Sequence, residues 1–337
     1  MVKLLFYLSG ENLGIAKAEV LALTNAEKFD LVDRFLVVDT NKRGLEDRIA
    51  FSHRIYKLLF SCKPDDLVDK INSFNWNKVY RGDFCVRVVN SNSFGEKDLA
   101  ALIFRKLRNP VVKLRDSQTP IHFIFSENKV FASILLSEID KSFNNRGAHS
   151  RPEFHPTSLH PCLARALVNL TGAKKGNKIL DPFCGSGGFL IESGLMGLRS
   201  VGFDLDELMI ARARINLDFF KIKNYKLVQK DSSKLSGKFD FVVTDLPYGR
   251  NSKVSHDLEI LYLSFLKSLK QILGKRAVIV FPDFPKKSKG FLGSQKSEIS
   301  EDVDYKSLVK KSGLKIVEEF SVYLHKSLSK KIVVLRN

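Results

Sequence analysis

The chain has 337 residues, 44% of them hydrophobic, and a formal net charge of +18 at pH 7. That length exceeds what one hydrophobic core usually serves, so two or more domains are expected. Its longest apolar runs fall far short of the roughly 20 residues a membrane span needs, and the segment Met1 to Glu11 lacks the length and cleavage site of a signal peptide, reading instead as a first strand. A pI near 9.6 indicates a polyanionic partner, nucleic acid first, against the plainer reading of a lysine-rich proteome in which basic residues serve solubility. The charge is uneven: residues 1–150 carry 23 basic and 18 acidic side chains, a net of +5, and residues 151–337 carry 32 and 19, a net of +13. Cysteines 62, 85, 162 and 184 lie far apart, with neither paired spacing for zinc nor a disulfide framework, and fit reduced thiols in a cytoplasmic protein.

In chain order, Lys3–Ser9 and Phe35–Asp39 read as strands, with a helix over Ile15–Thr24 between them and a second helix over Leu45–Leu59. This β-α-β-α order predicts a small ferredoxin-like module over residues 1–60. Beyond it come a strand over Phe84–Asn90, a helix over Glu96–Arg108 and strands over His122–Ser126 and Lys129–Leu136, a second α+β module over 61–140. Arg81, Arg87, Arg105, Lys106, Arg108 and Arg115 are candidate phosphate contacts, of the kind that position a nucleic acid without reading its sequence; singly, each also reads as an ordinary surface charge. Residues 141–161, rich in Asn, Arg, His and Pro, form a linker.

The C-terminal half, 162–337, changes rhythm. Lys178-Ile-Leu-Asp181-Pro182-Phe183-Cys184-Gly185-Ser186-Gly187-Gly188 is a short strand running into an acid and a glycine-rich turn, and then into a helix. Glycines there let backbone N–H groups approach a ligand. A dinucleotide fingerprint needs a third small residue where Leu190 stands, and no Gly-Lys-Ser/Thr follows, so neither NAD nor a phosphate-cradling loop is indicated. What remains is a turn for a nucleoside that carries a cation, with Asp181 near the charge and Cys184 filling space. Ser200–Asp204 is the next strand, its acid 17 residues past Gly187, where ribose hydroxyls are usually met; Leu205 follows it. Tyr225–Lys230 ends at Asp231-Ser232, suited to an adenine edge, and Phe239–Thr244 ends at Asp245. Ligands of open α/β sheets bind beyond these carboxyl ends, although acids there also serve as plain helix N-caps.

Asp245-Leu246-Pro247-Tyr248 places a carboxylate, a rigid turn and an aromatic ring at the sheet edge. Such a group suits transfer of a methyl to the exocyclic nitrogen of a flat base, though Asp-x-Pro is also common turn chemistry. A helix over Leu258–Leu273, a strand over Arg276–Phe281, a helix ending at Leu308–Ser312 and strands over Lys315–Leu324 and Lys331–Leu335 complete the half, the last two as an antiparallel hairpin. Lys286-Lys-Ser-Lys289 reads as a basic loop.

On these residues, 179–248 resemble a class I S-adenosylmethionine-dependent methyltransferase of the amino-methylating kind, whose signature is Asp/Asn-Pro-Pro-Tyr. The run from Arg151-Pro-Glu-Phe-His155-Pro-Thr157 to Leu170 is similar to the segment leading into the methylase domain of archaeal and eukaryotic tRNA guanosine N2-methyltransferases, most of all those acting at tRNA position 10, which carry an N-terminal THUMP domain. The resemblance is strong over 146–250 and weak before 85, and it departs from the pattern at Leu246, where the family more often has proline. It implies a Rossmann-like sheet of seven strands with a terminal antiparallel hairpin, and a THUMP-like module over 61–140 that binds the acceptor end of tRNA.

The resemblance also implies site roles. S-adenosylmethionine is the cofactor, held by Asp181 to Gly187, Asp204, Leu205, Asp231, Ser232 and Asp245, with His155 and Thr157 packed over it. Asp245, Leu246, Pro247 and Tyr248 form the catalytic group: Asp245 and the Leu246 carbonyl accept the N2 hydrogens, and Tyr248 stacks on the base for roughly 1–3 kcal/mol. Arg250 and Lys253 join the RNA contacts. The partner is tRNA, with a small activating protein subunit as a second candidate because some eukaryotic relatives have one. Rival readings are methylation of ribosomal RNA, of another tRNA position or of adenine N6, and an RNA-binding subunit without activity.

Overall fold

A computed structural model describes the chain apart from residues 92, 156–157, 248–253, 284–302 and 326–327. The chain forms two compact units, Met1–Asp140 and Lys141–Asn337.

The first unit comprises β1 (Val2–Leu8), α1 (Leu13–Thr24), β2 (Phe29–Val32), β3 (Phe35–Thr40), β4 (Ser52–Cys62), α2 (Leu67–Ser73), β5 (Cys85–Val89), α3 (Glu96–Phe104), β6 (Pro120–Ser126) and β7 (Lys129–Glu138). One seven-stranded sheet runs through it in the order β2-β3-β1-β4-β7-β6-β5. The helix expected over 45–59 is absent, and β4 takes most of its place. Apolar spacing there is compatible with a helix, but pairing on both edges decides: Tyr56 sits opposite Leu5 of β1 and Leu135 of β7. Just before β4, the buried Glu19 carboxylate of α1 accepts from the Ala50 and Phe51 N–H groups at 3.0 and 2.8 Å, fixing the entry to the strand. β4 lies across the expected boundary at residue 60. Helices α2 and α3 cover part of the sheet through Leu67, Ile71, Leu99 and Ile103, and Trp76, just past α2, joins the same core with its indole donating to the Ile71 carbonyl at 2.8 Å.

The second unit comprises α4 (Pro161–Leu170), β8 (Lys178–Asp181), α5 (Gly188–Leu195), β9 (Arg199–Asp204), α6 (Glu207–Phe219), β10 (Tyr225–Gln229), β11 (Phe239–Asp245), α7 (Val254–Ile272), β12 (Leu273–Asp283), α8 (Tyr305–Ser312), β13 (Lys315–His325) and β14 (Leu328–Arg336). Its seven strands are ordered β10-β9-β8-β11-β12-β14-β13. The first five are mutually parallel, and β14 is antiparallel to both of its neighbours. This is the seven-stranded Rossmann-like sheet with a terminal antiparallel hairpin that the resemblance implies. The run Ala277-Val-Ile-Val-Phe281 is buried throughout, as expected of a strand covered on both faces. Helix α7 packs Tyr262, Phe265, Leu266 and Leu269 into the same core.

Strand order reverses between β8 and β11, the neighbours at which the chain turns from building one side of the sheet to the other. A crevice opens at such a switch point, beyond the carboxyl ends. Asp181 ends β8 and Asp245 ends β11, so the two acids flank it.

Candidate active site

The four strand-end acids are held in different ways. Asp181, 1% exposed, accepts from Thr244 Oγ1 at 2.7 Å and from the Phe183 N–H at 3.2 Å. Burial pushes its carboxyl up to about 7, a rise that those two hydrogen bonds restrain and the nearby Asp204 and Asp245 reinforce. Asp204 is turned by the backbone around it, with Oδ2 accepting from the Gly185 N–H at 2.8 Å and Oδ1 from the Asp206 N–H at 3.0 Å. Asp231 accepts from the Ser233 N–H at 2.8 Å, and this bond holds its carboxyl below the usual range. Its capping of a short turn and its place at the site are thus one arrangement.

These acids border a cavity of about 710 Å³ in the second unit. Of the residues expected at the site, His155, Asp181, Phe183, Cys184, Gly185, Ser186, Asp204, Leu205, Asp231, Ser232, Asp245, Leu246 and Pro247 line it. Pro182 and Gly187 do not. Pro182 is buried in the turn, and Gly187 serves helix packing. Gly187 has φ of 90°, and a Cβ there would stand 3.4 Å from Ala213 Cβ of α6. Thr157, Tyr248, Arg250 and Lys253, like the basic loop at 286–289, lie outside the described residues. Cys184 is buried, which pushes its thiol up and leaves it unreactive, as befits a space-filling role.

Sequence reasoning missed part of the lining and most of the support. Ser158, Leu159, Phe189, Met209 and Leu261 also border the cavity, as does Asp206, which caps α6 by accepting from the Leu208 N–H at 2.8 Å. Asn216 of α6 is fully buried: its Oδ1 accepts from the Glu153 N–H, and its Nδ2 donates to the Glu153 and Ser186 carbonyls, each at 3.0 Å. It thereby ties the segment before His155 to the glycine turn. An Asn inside a helix was the only sequence signal, and a weak one. Glu192 of α5, also fully buried, takes Arg146 and Arg165 at 2.8 Å each.

Around Asp245 the sequence signal was thinner still. Lys330 of β14, 1% exposed, donates to Asp245 Oδ2 at 2.5 Å. Oδ1 is buried and has no hydrogen-bond partner among the described residues. Burial pushes the Asp245 carboxyl up, against the pull of the Lys330 ammonium. The Leu246 side chain is buried in the core, and its N–H donates to the Val280 carbonyl at 3.0 Å, extending the β11–β12 ladder by a bond that proline is unable to make. The Pro247 carbonyl accepts from the Tyr262 hydroxyl at 2.5 Å, which steadies the turn from α7.

In the first unit, Arg81, Arg105, Lys106, Arg108 and Arg115 are exposed. Arg87 is half-buried and engaged within the fold, pairing with Glu96 at 3.3 Å and donating to the Leu114 carbonyl.

Comparison with known proteins bears on this geometry. A family model described as RMKL-like, methyltransferase domain, matches residues 148–304, the stretch that holds every acid of the cavity. A second, described as DNA methylase, matches 39–214, across both units and short of Asp245. The tRNA (guanine(10)-N2)-dimethyltransferase of Methanothermobacter thermautotrophicus is 31% identical, with 99% of each chain covered. The chain belongs to the tRNA (guanine(10)-N2)-dimethyltransferase family. Another member of that family, from Pyrococcus abyssi, is also 31% identical, over 95% of each chain. The crystal structure of TrmN from Thermus thermophilus is similar over 99% of each chain, at 18% identity and a TM-score of 0.49. In this dimethyltransferase family member the acid-lined cavity fits S-adenosylmethionine by its chemistry: carboxylates for a cation and for hydroxyls, beside the apolar walls of Phe183, Leu205 and Met209.

Proposed function

We propose that this chain transfers methyl groups from S-adenosylmethionine to the exocyclic N2 of a guanosine in tRNA, at position 10, in two rounds that give the dimethylated base. The observation that carries the reading is Asp245, a buried carboxylate at the switch crevice with one oxygen on Lys330 and the other unengaged among the described residues. Bound S-adenosylmethionine supplies a methyl group already made electrophilic by its positive sulfur. Asp181 faces that charge, Asp204 takes the ribose hydroxyls, and Asp231 with Ser232 meets the adenine edge.

The remaining task is alignment, which contributes on the order of 7–11 kcal/mol in well-oriented reactions. Asp245 Oδ1 and the Leu246 carbonyl accept the N2 hydrogens of guanine, so that the nitrogen lone pair leaves conjugation with the ring and points at the methyl. The proton that N2 sheds on methylation passes to Asp245 and on to solvent. A guanosine within a stem reaches the crevice only when extruded, at a cost of a few kcal/mol. Phosphate contacts offset that cost and weaken with salt. Arg105, Lys106, Arg108 and Arg115 of the N-terminal unit, read as THUMP-like, are placed among them; a small activating subunit and a cytoplasmic setting complete the reading. Among the described residues, no helix is long and apolar enough to cross a membrane.

The test is label transfer from S-adenosylmethionine to a tRNA transcript, with a transcript bearing adenosine in place of guanosine 10 as control. Label on the first alone is expected. Asp245→Asn is expected to abolish turnover while calorimetry still detects cofactor binding, and retained turnover overturns the mechanism. Asparagine suits the test better than alanine because it keeps the shape and an amide oxygen that can accept from Lys330. Either substitution removes the counter-charge of that buried ammonium and costs stability, so folding is checked alongside. A second reading, adenine N6 methylation, is favoured by the DNA methylase match; label on an adenine-containing DNA and none on tRNA would establish it.

A further inference from the structure

We propose that Lys330 is a positioning residue for this reaction: its ammonium, brought across β12 from the terminal hairpin, fixes Asp245 Oδ2 and leaves Oδ1 as the oxygen that receives the N–H of the acceptor base. The inference rests on the role given to Asp245 above.

The register shows how the lysine arrives. Asp245 of β11 pairs with Val280 of β12, and Val280 pairs with Ile332 of β14. Lys330 lies two residues from Ile332, opposite Pro282, so its side chain spans the intervening strand to reach Asp245. The four-carbon stem is buried on the way, with the whole side chain 1% exposed. The next residue differs in every respect. Lys331 is 30% exposed and pairs with Asp283 at 3.3 Å and Ser321 Oγ at 2.9 Å, all at the outer part of the hairpin. Two adjacent lysines thus take opposite faces of one strand, and of the two only Lys330 reaches Asp245.

The surroundings explain why a cation is needed there. Besides Lys330 from β14, the charged group that faces Asp245 among the described residues is Asp181 from β8, an acid; α7 contributes the neutral Tyr262 hydroxyl, on the Pro247 carbonyl. Burial and a neighbouring acid both favour the protonated form of a carboxyl. A protonated Asp245 is a donor on one oxygen and a poorer acceptor on the other, which sets it against an incoming amine. Lys330 opposes that and also chooses between the oxygens, since Oδ2 is taken and Oδ1 is not.

The experiment compares full-length wild type, Lys330→Met, Lys330→Arg and the control Lys331→Met. Methionine matches the buried stem without the charge. For Lys330→Met, kcat near neutral pH is expected to fall about tenfold or more, with the acid limb of the kcat profile about one pH unit or more higher. KM for tRNA and the affinity for S-adenosylmethionine should hold; Lys330→Arg should restore the limb, and Lys331→Met should leave it unmoved. An unshifted limb, or a fall in kcat matched by lost cofactor affinity, would show that Lys330 merely anchors the hairpin. Carboxyl NMR titration, with Asp245 identified as the resonance lost in Asp245→Asn, needs no turnover. It separates failure of this inference from failure of the proposed reaction: titration at higher pH in Lys330→Met than in wild type supports the pairing role, and equal titration overturns it.

Discussion

Thr244 Oγ1 donates a 2.7 Å hydrogen bond to Asp181 Oδ1, joining the ends of β11 and β8 on either side of the switch crevice. The donor is neutral, so it orients the carboxylate without cancelling its charge. Of the two acids that flank the crevice, Asp181 is therefore the one left for a ligand to neutralise, whereas Asp245 has Lys330.

This difference yields a pH dependence. Asp181 titrates in the fold at about 7, above its ordinary value of 3.8. A group raised in this way contributes stability that is fully present below the unfolded value and is lost as pH rises through the folded one. Asp181→Asn keeps the oxygen that accepts from Thr244 and is never charged. Without ligand it is expected to be more stable than wild type above pH 7, by up to about 4 kcal/mol, with the gap closing toward pH 4. Denaturant midpoints across that range measure it. The same substitution should weaken S-adenosylmethionine binding and flatten its pH dependence, which in wild type should show affinity falling as pH drops below about 7. A variant that binds the cofactor as wild type does would remove Asp181 from the cation's surroundings.

Glu192 holds a second buried charge, and its two arginines come from different segments: Arg146 before α4 and Arg165 within it. Both guanidinium groups also lie over the Phe143 ring, at 5.1 and 5.4 Å. Glu192→Gln removes the charge and leaves two part-buried cations against a neutral amide. A loss of about 3–5 kcal/mol is expected, read from the shift in denaturant midpoint. Because the segment after Arg146 runs on to His155 at the cavity, cofactor affinity should fall with it. Unchanged stability would show the cluster to be dispensable.

The legible part of this molecule was the part that local chemistry writes down. Apolar runs ending in Asp181, Asp204, Asp231 and Asp245 gave the parallel strands in order, and the glycine turn marked where ligand meets sheet. What stayed hidden depends on partners distant in the chain. Lys330 is indistinguishable by type from Lys331, and only the hairpin register, 85 residues from Asp245, separates them. Asn216 reaches back 63 residues to Glu153. β4 read as a helix because its strand character resides in Leu5 and Leu135, the residues opposite Tyr56, and not in its own spacing.

Leu190, which argued against a dinucleotide site, has its own structural partner. A Cβ added at Gly202 of β9 would stand 2.5 Å from Leu190 Cδ1, and 2.9 Å from both Cys184 Sγ and Leu227 Cδ2. The close approach of helix and strand that a small residue on the helix provides elsewhere is here provided by the strand. Gly202→Ala should overpack this contact and cost about 1–3 kcal/mol. Leu190→Ala alone should cost about 2–5 kcal/mol as a cavity in a buried cluster. Together they should cost less than the sum, because the alanine methyl at 202 enters the space that the leucine vacates. A double-mutant cycle on unfolding free energy measures the coupling. Strict additivity would mean that the clash with Cys184 and Leu227 dominates, and that Leu190 is not what glycine at this position accommodates.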